Sequence, residues 1–270
     1  MVFIPEKRPR TLRMTSTYVT KFLARLLVVG IILALAGWVI FFRPFYKRDS
    51  VSTADGKHTF TYITRVYNGR ASDELPTIIA LHGGEAKPVR FIRRLRGIDA
   101  PCRIIVLNAF SKDTFGKDVW YDRHQRYQTI PAAAEKLKEF SQLIQEKYAV
   151  RQDPVLFGYS HGASLALFSG YKYAQSFSAV VLVGGGLPGQ LLPEKNLFWI
   201  DYPDVYRYHN INDDAYPITM IRSHHRQLEQ DLFPVTLTEF DNEDGFPSSV
   251  RQEVIFTLEN VSRKLMSARE

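Results

Sequence analysis

Length, composition and charge exclude several classes of protein before any motif is considered. The chain has 270 residues, of which 45% are hydrophobic and 23% are charged, as is typical of a globular domain with a complete core. Its single cysteine excludes an intrachain disulfide and a metal cluster built on cysteines. The formal net charge of +7 is concentrated in residues 1–25, where six residues are basic and one is acidic. The remainder is close to neutral, so the sequence predicts no nucleic-acid partner.

The N-terminal region predicts a membrane anchor. Residues 26–42 form an unbroken run of apolar or small residues, LLVVGIILALAGWVIFF, which extends back to residue 22 across Arg25. Because about 20 apolar residues cross the hydrocarbon core as a helix, we predict a transmembrane helix over 22–42. The basic residues before it predict a cytoplasmic tail over 1–21 and place the rest of the chain outside the cytoplasm. A signal peptide cleaved after Ala36 is the alternative, and it would give a secreted protein.

After a predicted linker over 43–54, residues 55–270 alternate short apolar runs with amphipathic segments. The apolar runs predict strands, in chain order, at Thr59–Tyr67, Thr77–Leu81, Arg103–Leu107, Val155–Phe157, Ala179–Val183, Val205–His209 and Val235–Phe240. The amphipathic segments predict helices at Val89–Arg96, Ile130–Tyr148, Ser160–Tyr173, Pro217–Gln230 and Ser248–Met266. This alternation predicts an α/β domain with a mostly parallel sheet and helices on both faces. Ligands of such sheets bind beyond the carboxyl ends of the strands.

The sequence GYSHG at 158–162 follows a predicted strand and opens a predicted helix. A GxSxG string is weak by itself, but the strand, sharp turn and helix around it are the context of a nucleophile elbow. The glycines avoid the clashes that such a turn would otherwise create, and the helix N-terminus favours negative charge at the serine. We therefore predict that Ser160 is a catalytic nucleophile.

An acyl-transfer serine also needs backbone N–H donors aimed at the developing oxyanion, each worth about 3–4 kcal/mol. The sequence LHGGE at 81–85 ends an early predicted strand, and its glycines let the backbone approach a ligand. We assign the oxyanion hole to the amides of Gly84 and His161, with Glu85 as the alternative if the register differs by one. His82 is interpreted as a structural histidine that braces this loop.

The candidate acid follows in the chain order expected of a Ser-Asp-His triad. The sequence NDDAYP at 212–217 leaves a predicted strand through a polar turn. We predict Asp213 as the triad acid, with Asp214 as the alternative.

Together these motifs resemble the bacterial phospholipase/carboxylesterase and polyhydroxybutyrate-depolymerase-like serine esterases of the α/β-hydrolase superfamily. The residues that carry the resemblance are LHGG at 81–84, FGYSHGA at 157–163, GGGLP at 184–188 and NDDAYP at 212–217. The resemblance implies an α/β-hydrolase fold, here preceded by one transmembrane helix, and a Ser-Asp-His triad. It also implies hydrolysis of a small-molecule or lipid carboxylic ester without a metal or an organic cofactor.

The turn that should carry the triad histidine has none. In similar esterases this residue follows the last strand in a His-Gly-Phe-like turn, whereas the chain reads FDNEDGFP at 240–247. This alignment places Asp244 at the histidine position, with Gly245 as the alternative if the register slips, and no histidine follows His225. An aspartate, with a reference pKa of about 3.9, is too weak a base to deprotonate a serine hydroxyl.

Two histidines and a tryptophan fall close to the predicted cleft in the sequence. His161 lies next to the nucleophile, but its side chain should diverge from the attack path, and His124 in the loop WYDRH at 120–124 could reach the cleft from above. Trp120 in the same loop is interpreted as part of the substrate-binding wall, because cleft walls are usually apolar and aromatic. Three functions remain open: an impaired serine esterase, an inactive pseudohydrolase that binds a ligand or a protein partner, and an acyltransferase.

Overall fold

The computed structural model describes residues 23–32, 46–148, 150, 152–187, 191, 202–242 and 245–268. The chain divides into two compact units, Met1–Phe45 and Tyr46–Glu270. In the first unit, residues 23–32 form a helix with exposed side chains. Within the described residues, no helix combines the length and the apolar character that crossing a membrane requires. The other residues of the predicted anchor lie outside the described part of the chain.

The second unit is built on an eight-stranded sheet with the order β1-β2-β4-β3-β7-β8-β9-β10. Strands β1 and β2 and strands β2 and β4 pair antiparallel, and the other neighbours pair parallel. The strands of this sheet are β1 Lys47–Ser52, β2 Thr59–Tyr67, β3 Thr77–Leu81, β4 Cys102–Leu107, β7 Val155–Tyr159, β8 Ala179–Val183, β9 Asp204–Asn210 and β10 Val235–Phe240. The predicted mostly parallel sheet is therefore confirmed.

Helices cover both faces of the sheet, as predicted. They are α1 Pro88–Arg94, α2 Arg126–Tyr148, α3 His161–Lys172, α4 Ile218–Gln230 and α5 Ser248–Ser267, with a 3-10 turn at Ala174–Ser176. Leu156 of β7 belongs to the apolar core shared with α2 and α3. The next residue, Phe157, points to the opposite face, where Phe91 of α1 stacks on it at 5.5 Å between ring centroids. Central strands buried on both faces explain their continuous apolar sequences.

Two elements were not expected from the sequence. Strand β1 lies within the stretch 43–54 that was predicted as a linker, and it pairs with β2 at the edge of the sheet. Its sequence, KRDSVS, is polar because most of its side chains remain partly or fully exposed. The hairpin formed by β5 Ser111–Lys112 and β6 Asp118–Val119 has only two residues in each strand, which is too short for a periodic signal.

The carboxyl ends of the parallel strands lie on the same side of the sheet, and every predicted catalytic motif follows one of these strands. The oxyanion sequence follows β3, the nucleophile follows β7, the predicted acid follows β9, and the turn expected to hold the missing base follows β10. Because β3, β7, β8, β9 and β10 are consecutive neighbours in the sheet, these segments are brought to one edge.

Candidate active site

Ser160 stands at the turn between β7 and α3 in the conformation of a nucleophile elbow. Its backbone angles are φ 51° and ψ −116°, in the left-handed region that non-glycine residues rarely occupy. Its amide donates a hydrogen bond of 2.8 Å to the carbonyl of Val183 at the end of β8, and its carbonyl accepts the amide of Ala163 at 2.9 Å. These bonds hold the strained turn, as a site that stores local strain requires.

The glycines on either side of Ser160 are required by close backbone contacts. A Cβ on Gly158 would lie 2.6 Å from the Cα of Ala163, and a Cβ on Gly162 would lie 2.4 Å from the carbonyl oxygen of Leu81. The second contact joins the start of α3 to the end of β3. The glycines of the elbow therefore bring the nucleophile against the oxyanion sequence.

The two residues assigned to the oxyanion hole, Gly84 and His161, are in contact. The position of a Cβ on Gly84 is 3.5 Å from the Cβ of His161, and neither amide donates a hydrogen bond within the part of the chain that the structure describes. The amide of Glu85 donates at 3.0 Å to the carbonyl of Asp118, so this amide already has an acceptor and Gly84 is the better candidate donor. The available pair is Gly84 and His161, which flank the nucleophile.

The two histidine side chains of this region are structural. His82 Nδ1 hydrogen-bonds the carbonyl of Gly83 at 2.8 Å, and burial lowers the pKa of its imidazole. The imidazole of His161 is fully buried against the ring of Tyr121, with centroids 3.8 Å apart. Burial, with a further contribution from the charge of Arg123, lowers the pKa of His161 to about 3. A neutral, enclosed ring with so low a pKa is not a general base for Ser160.

Asp213 faces Ser160 across Gly184. A Cβ on Gly184 would lie 3.8 Å from Asp213 Oδ2 and 3.9 Å from the Cα of Ser160. The other oxygen, Oδ1, accepts the amides of Ala215 at 2.9 Å and Tyr216 at 3.0 Å, which orients the carboxylate. Asp214, the alternative, is exposed. Asp213 therefore lies close to Ser160, and its role as the triad acid stays a prediction.

No histidine completes the pair of Ser160 and Asp213. All seven histidines of the chain lie among the described residues, and no imidazole hydrogen-bonds either side chain. Instead His58 pairs with Glu139, His82 and His161 are buried beside the oxyanion sequence, His124 is exposed, His209 bonds the carbonyl of Tyr216, His224 is buried and His225 pairs with Glu229. Within the described residues, Ser160 and Asp213 therefore have no histidine partner.

The turn after β10 nevertheless lies beside the elbow. Phe246 stacks on Tyr159, the residue before the nucleophile, with ring centroids 5.3 Å apart. A Cβ on Gly245 would lie 3.3 Å from the hydroxyl of Tyr159. Asp244, predicted to occupy the histidine position, lies outside the described residues, but the residues after it are in the expected place.

A cavity of about 660 Å³ adjoins the oxyanion sequence. The β5–β6 hairpin, the loop at 120–124 and α2 line it, and Glu85 and Arg123 lie at its border with the site. Trp120 belongs to its lining, but the side chain is only 1% exposed and donates from Nε1 to the carbonyl of His82 at 2.7 Å. The tryptophan therefore stabilises the oxyanion sequence through this hydrogen bond, and its contact with substrate stays a prediction.

Several residues at the site were not singled out by the sequence. Tyr216 links the acid to β9, because its amide donates to Asp213 and its carbonyl accepts His209 Nε2 at 2.8 Å. Ser164 Oγ donates to the carbonyl of Gly186 at 2.8 Å, which joins α3 to the loop after β8. The contact between Ser164 and Gly186 spans 22 residues of sequence, so no local pattern predicts it.

For metals, the described residues contain no group of three or more His, Cys, Asp or Glu side chains placed to hold an ion.

Comparison with known proteins identifies the family and the fold. The sequence model of the phospholipase/carboxylesterase family matches residues 70–262, which include Ser160, Asp213 and the oxyanion sequence. No curated protein sequence matches the chain significantly.

Solved structures with similar folds include three esterases. A Bacillus cereus carboxylesterase aligns with a TM-score of 0.63 and 15% identity over 75% of this chain and 94% of its own. Zea mays acyl-protein thioesterase 2 aligns with a TM-score of 0.58 and 18% identity over 73% and 98%. Thermogutta terrifontis esterase 2, phosphorylated by paraoxon, aligns with a TM-score of 0.56 and 11% identity over 80% and 93%. At these identities the similarity establishes the fold.

Proposed function

The chain belongs to the phospholipase/carboxylesterase family of serine ester hydrolases, and from this premise we propose that it cleaves a carboxylic ester through an acyl intermediate on Ser160. One observation carries the proposal. Ser160 holds a strained backbone conformation beside the amides of Gly84 and His161, neither of which has a hydrogen-bond acceptor within the described residues. Backbone amides that lie near a nucleophile and have no acceptor of their own are available to bind a transient oxyanion.

The reaction follows from this arrangement. Ser160 Oγ attacks the carbonyl carbon of the ester, and negative charge moves to the carbonyl oxygen between the two amides. The bond to the alcohol oxygen breaks, and the alcohol leaves with the proton from the serine. Water then attacks the acyl-serine, which releases the carboxylic acid and restores the hydroxyl. The substrate is a small-molecule or lipid ester, and an acyltransferase would differ only in the acceptor that replaces water.

We further propose that turnover is impaired by the missing histidine. Asp213 is oriented to hold an imidazole, but no histidine of the chain lies between it and Ser160. Positioned general bases contribute about 10²–10⁴-fold to such reactions. The proton of Ser160 must therefore pass to a weaker acceptor, with a corresponding loss in rate.

The nucleophile is tested by labelling and by turnover. Wild type and Ser160→Ala are treated with a fluorophosphonate probe and assayed with short-chain p-nitrophenyl esters. The probe is supported by the structural neighbour that is phosphorylated by paraoxon. We expect labelling and hydrolysis in wild type and neither in Ser160→Ala, whereas Ser50→Ala, an exposed serine of β1, should behave like wild type.

Equal hydrolysis by wild type and Ser160→Ala would remove Ser160 from the mechanism. The absence of both labelling and turnover in wild type would favour the second candidate, a pseudohydrolase that binds a ligand or a protein partner in the same cleft. The observation that favours this candidate is the triad acid without a histidine partner.

The location of the protein is proposed from its N-terminal sequence. The apolar run at 26–42 and the basic residues before it support a single-pass anchor with the ester hydrolase domain outside the cytoplasm. Protease added to intact spheroplasts should remove the domain, and a high-salt wash should leave it on the membrane. Protection until lysis would contradict the orientation, release by salt would contradict the anchor, and a product beginning after Ala36 would indicate secretion.

A further inference from the structure

Arg123 lies against the oxyanion sequence. Its Nη2 is 2.7 Å from the position that a Cβ on Gly84 would occupy, so the guanidinium fills the space that this glycine leaves open. The charge of Arg123 also contributes to the lowered pKa of His161, after burial. The guanidinium is therefore close to both residues that we assign to the oxyanion hole.

Two of the three lysines that line the cavity are neutralised by carboxylates, whereas the third, Lys136, lies over the ring of Phe110, and Arg123 has no carboxylate partner within the described residues. Lys117 Nζ pairs with Glu85 at 2.6 Å, and Lys112 Nζ pairs with Asp118 at 2.7 Å. Within the described residues, Arg123 forms no ion pair, and its side chain is exposed at the border of the cavity. A planar cation without a counter-ion can receive a carboxylate or a phosphate in a bidentate geometry.

We propose that Arg123 binds an anionic group on the substrate and makes the enzyme selective for esters that carry a carboxylate or phosphate near the scissile bond. The inference rests on the proposed ester hydrolysis for its place in catalysis. Anion binding itself does not depend on the proposed hydrolysis, because the guanidinium and the cavity are present whether or not Ser160 reacts with an ester. An anion held at Arg123 would place its ester carbonyl near the amides of Gly84 and His161.

Turnover tests the selectivity. Two pairs of esters are compared, each with a neutral and an anionic member. In the first pair, p-nitrophenyl butyrate is neutral and p-nitrophenyl hemisuccinate carries a carboxylate on the acyl side. In the second pair, 4-carbamoylphenyl butyrate is neutral and 4-carboxyphenyl butyrate carries a carboxylate on the alcohol side. We expect wild type to have the higher kcat/KM for the anionic member of at least one pair. Arg123→Gln should lower this anionic-to-neutral ratio by about 10-fold or more, because a charge-assisted hydrogen bond is lost.

The matched control is Arg126→Gln, which removes the same charge from an exposed residue three positions along the chain, outside the residues lining the cavity. It should retain the wild-type ratio. If Arg123→Gln leaves the ratio unchanged, the inference is wrong. Equal losses on neutral and anionic esters also contradict it, because they would mean that the guanidinium acts on the oxyanion of every substrate.

Binding tests the inference independently of turnover. Monomethyl succinate and methyl butyrate are titrated calorimetrically into Ser160→Ala and into Ser160→Ala combined with Arg123→Gln. We expect the anion to bind more tightly than the neutral ester, and its Kd to rise about 10-fold or more without Arg123 and also with added salt. If no variant hydrolyses any ester but this difference is found, the proposed hydrolysis fails and the anion site stands. No binding, or binding that does not depend on Arg123, overturns the anion site.

Discussion

Ser160 occupies a backbone conformation that favours glycine, with φ 51° and ψ −116°. Such conformations cost about 1–3 kcal/mol, and glycine removes this cost while adding less than about 1 kcal/mol of chain entropy to the unfolded state. We therefore expect Ser160→Gly to have a free energy of unfolding about 1 kcal/mol higher than Ser160→Ala. Urea unfolding of the two variants measures the difference.

The control for this prediction is Ser223, an exposed residue within α4. In a helix glycine is less favourable than alanine by about 1 kcal/mol, so Ser223→Gly should be less stable than Ser223→Ala. If the glycine variant were less stable than the alanine variant at both positions, the backbone of Ser160 would not be strained.

The missing base can be tested at the residue expected to carry it. Asp244→His should raise kcat/KM for p-nitrophenyl esters by at least about 10²-fold, because the loss of one triad member costs more than this in enzymes with complete triads. The imidazole would titrate near pH about 6.5 and would be oriented by Asp213. The measurement is kcat/KM near neutral pH.

Two further variants decide how the gain arises. Adding Asp213→Asn to Asp244→His should abolish the gain, because the imidazole would lose its partner. Gly245→His, the alternative register, should gain less, because a Cβ at this position lies 3.3 Å from the hydroxyl of Tyr159. No gain in either histidine variant, with the fold confirmed by circular dichroism, would mean that the turn is misaligned.

At the scale of elements, the loop after β8 determines how closely the sheet approaches the elbow. Gly185 has φ +72°, and its Cβ would lie 2.4 Å from the carbonyl oxygen of Ser160. Gly116 in the β5–β6 hairpin has nearly the same φ, +75°, but its Cβ would meet nothing within 4 Å. Comparing an alanine substitution at each glycine therefore separates the cost of the left-handed backbone conformation from the cost of the steric clash with Ser160.

We expect Gly116→Ala to lower the free energy of unfolding by about 1–2 kcal/mol, the cost of a left-handed residue. Gly185→Ala should lower it by a further 1–3 kcal/mol or so, the usual cost of overpacking, and should also reduce labelling of Ser160 by the fluorophosphonate. Denaturant unfolding gives both values. Equal losses at the two positions would show that the loop after β8 relaxes without displacing the nucleophile.

At the scale of the whole molecule, buried histidines couple stability to pH. His161 and His224 are almost fully buried, and burial lowers their pKa values to about 3 and about 4. Below pH about 6.5 the unfolded chain binds protons at these histidines whereas the folded protein does not. The stability is therefore full above this pH and falls as the pH decreases towards the folded pKa values.

Each of the two histidines should cost about 2 kcal/mol of stability between neutral pH and pH about 5. His224→Gln, which cannot gain this proton, should lose correspondingly less stability over the same range. His124→Gln, at an exposed loop residue, should follow the wild-type profile. Chemical denaturation at a series of pH values measures this, and parallel profiles for all three proteins would contradict the burial of His224.

The sequence by itself determined the architecture, and it singled out Ser160 and Asp213 as candidate catalytic residues. Strands buried on both faces leave continuous apolar runs, and the elbow requires glycines at fixed distances from the serine, so both are visible locally. Strand β1 was missed because an exposed edge strand has no apolar run to reveal it. The absence of a histidine after His225 was equally visible, since it is a fact of composition.

Only the tertiary structure decided between the remaining alternatives. The sequence left Glu85 as an alternative to Gly84, and the structure shows that the amide of Glu85 is already bonded to the carbonyl of Asp118 on the hairpin. Arg123 acquired a candidate role because it fills the space next to Gly84, a contact between segments separated by a helix, a strand and a hairpin. Local patterns report the conformation of neighbouring residues, whereas hydrogen-bond partners and steric contacts between distant residues exist only after the chain has folded.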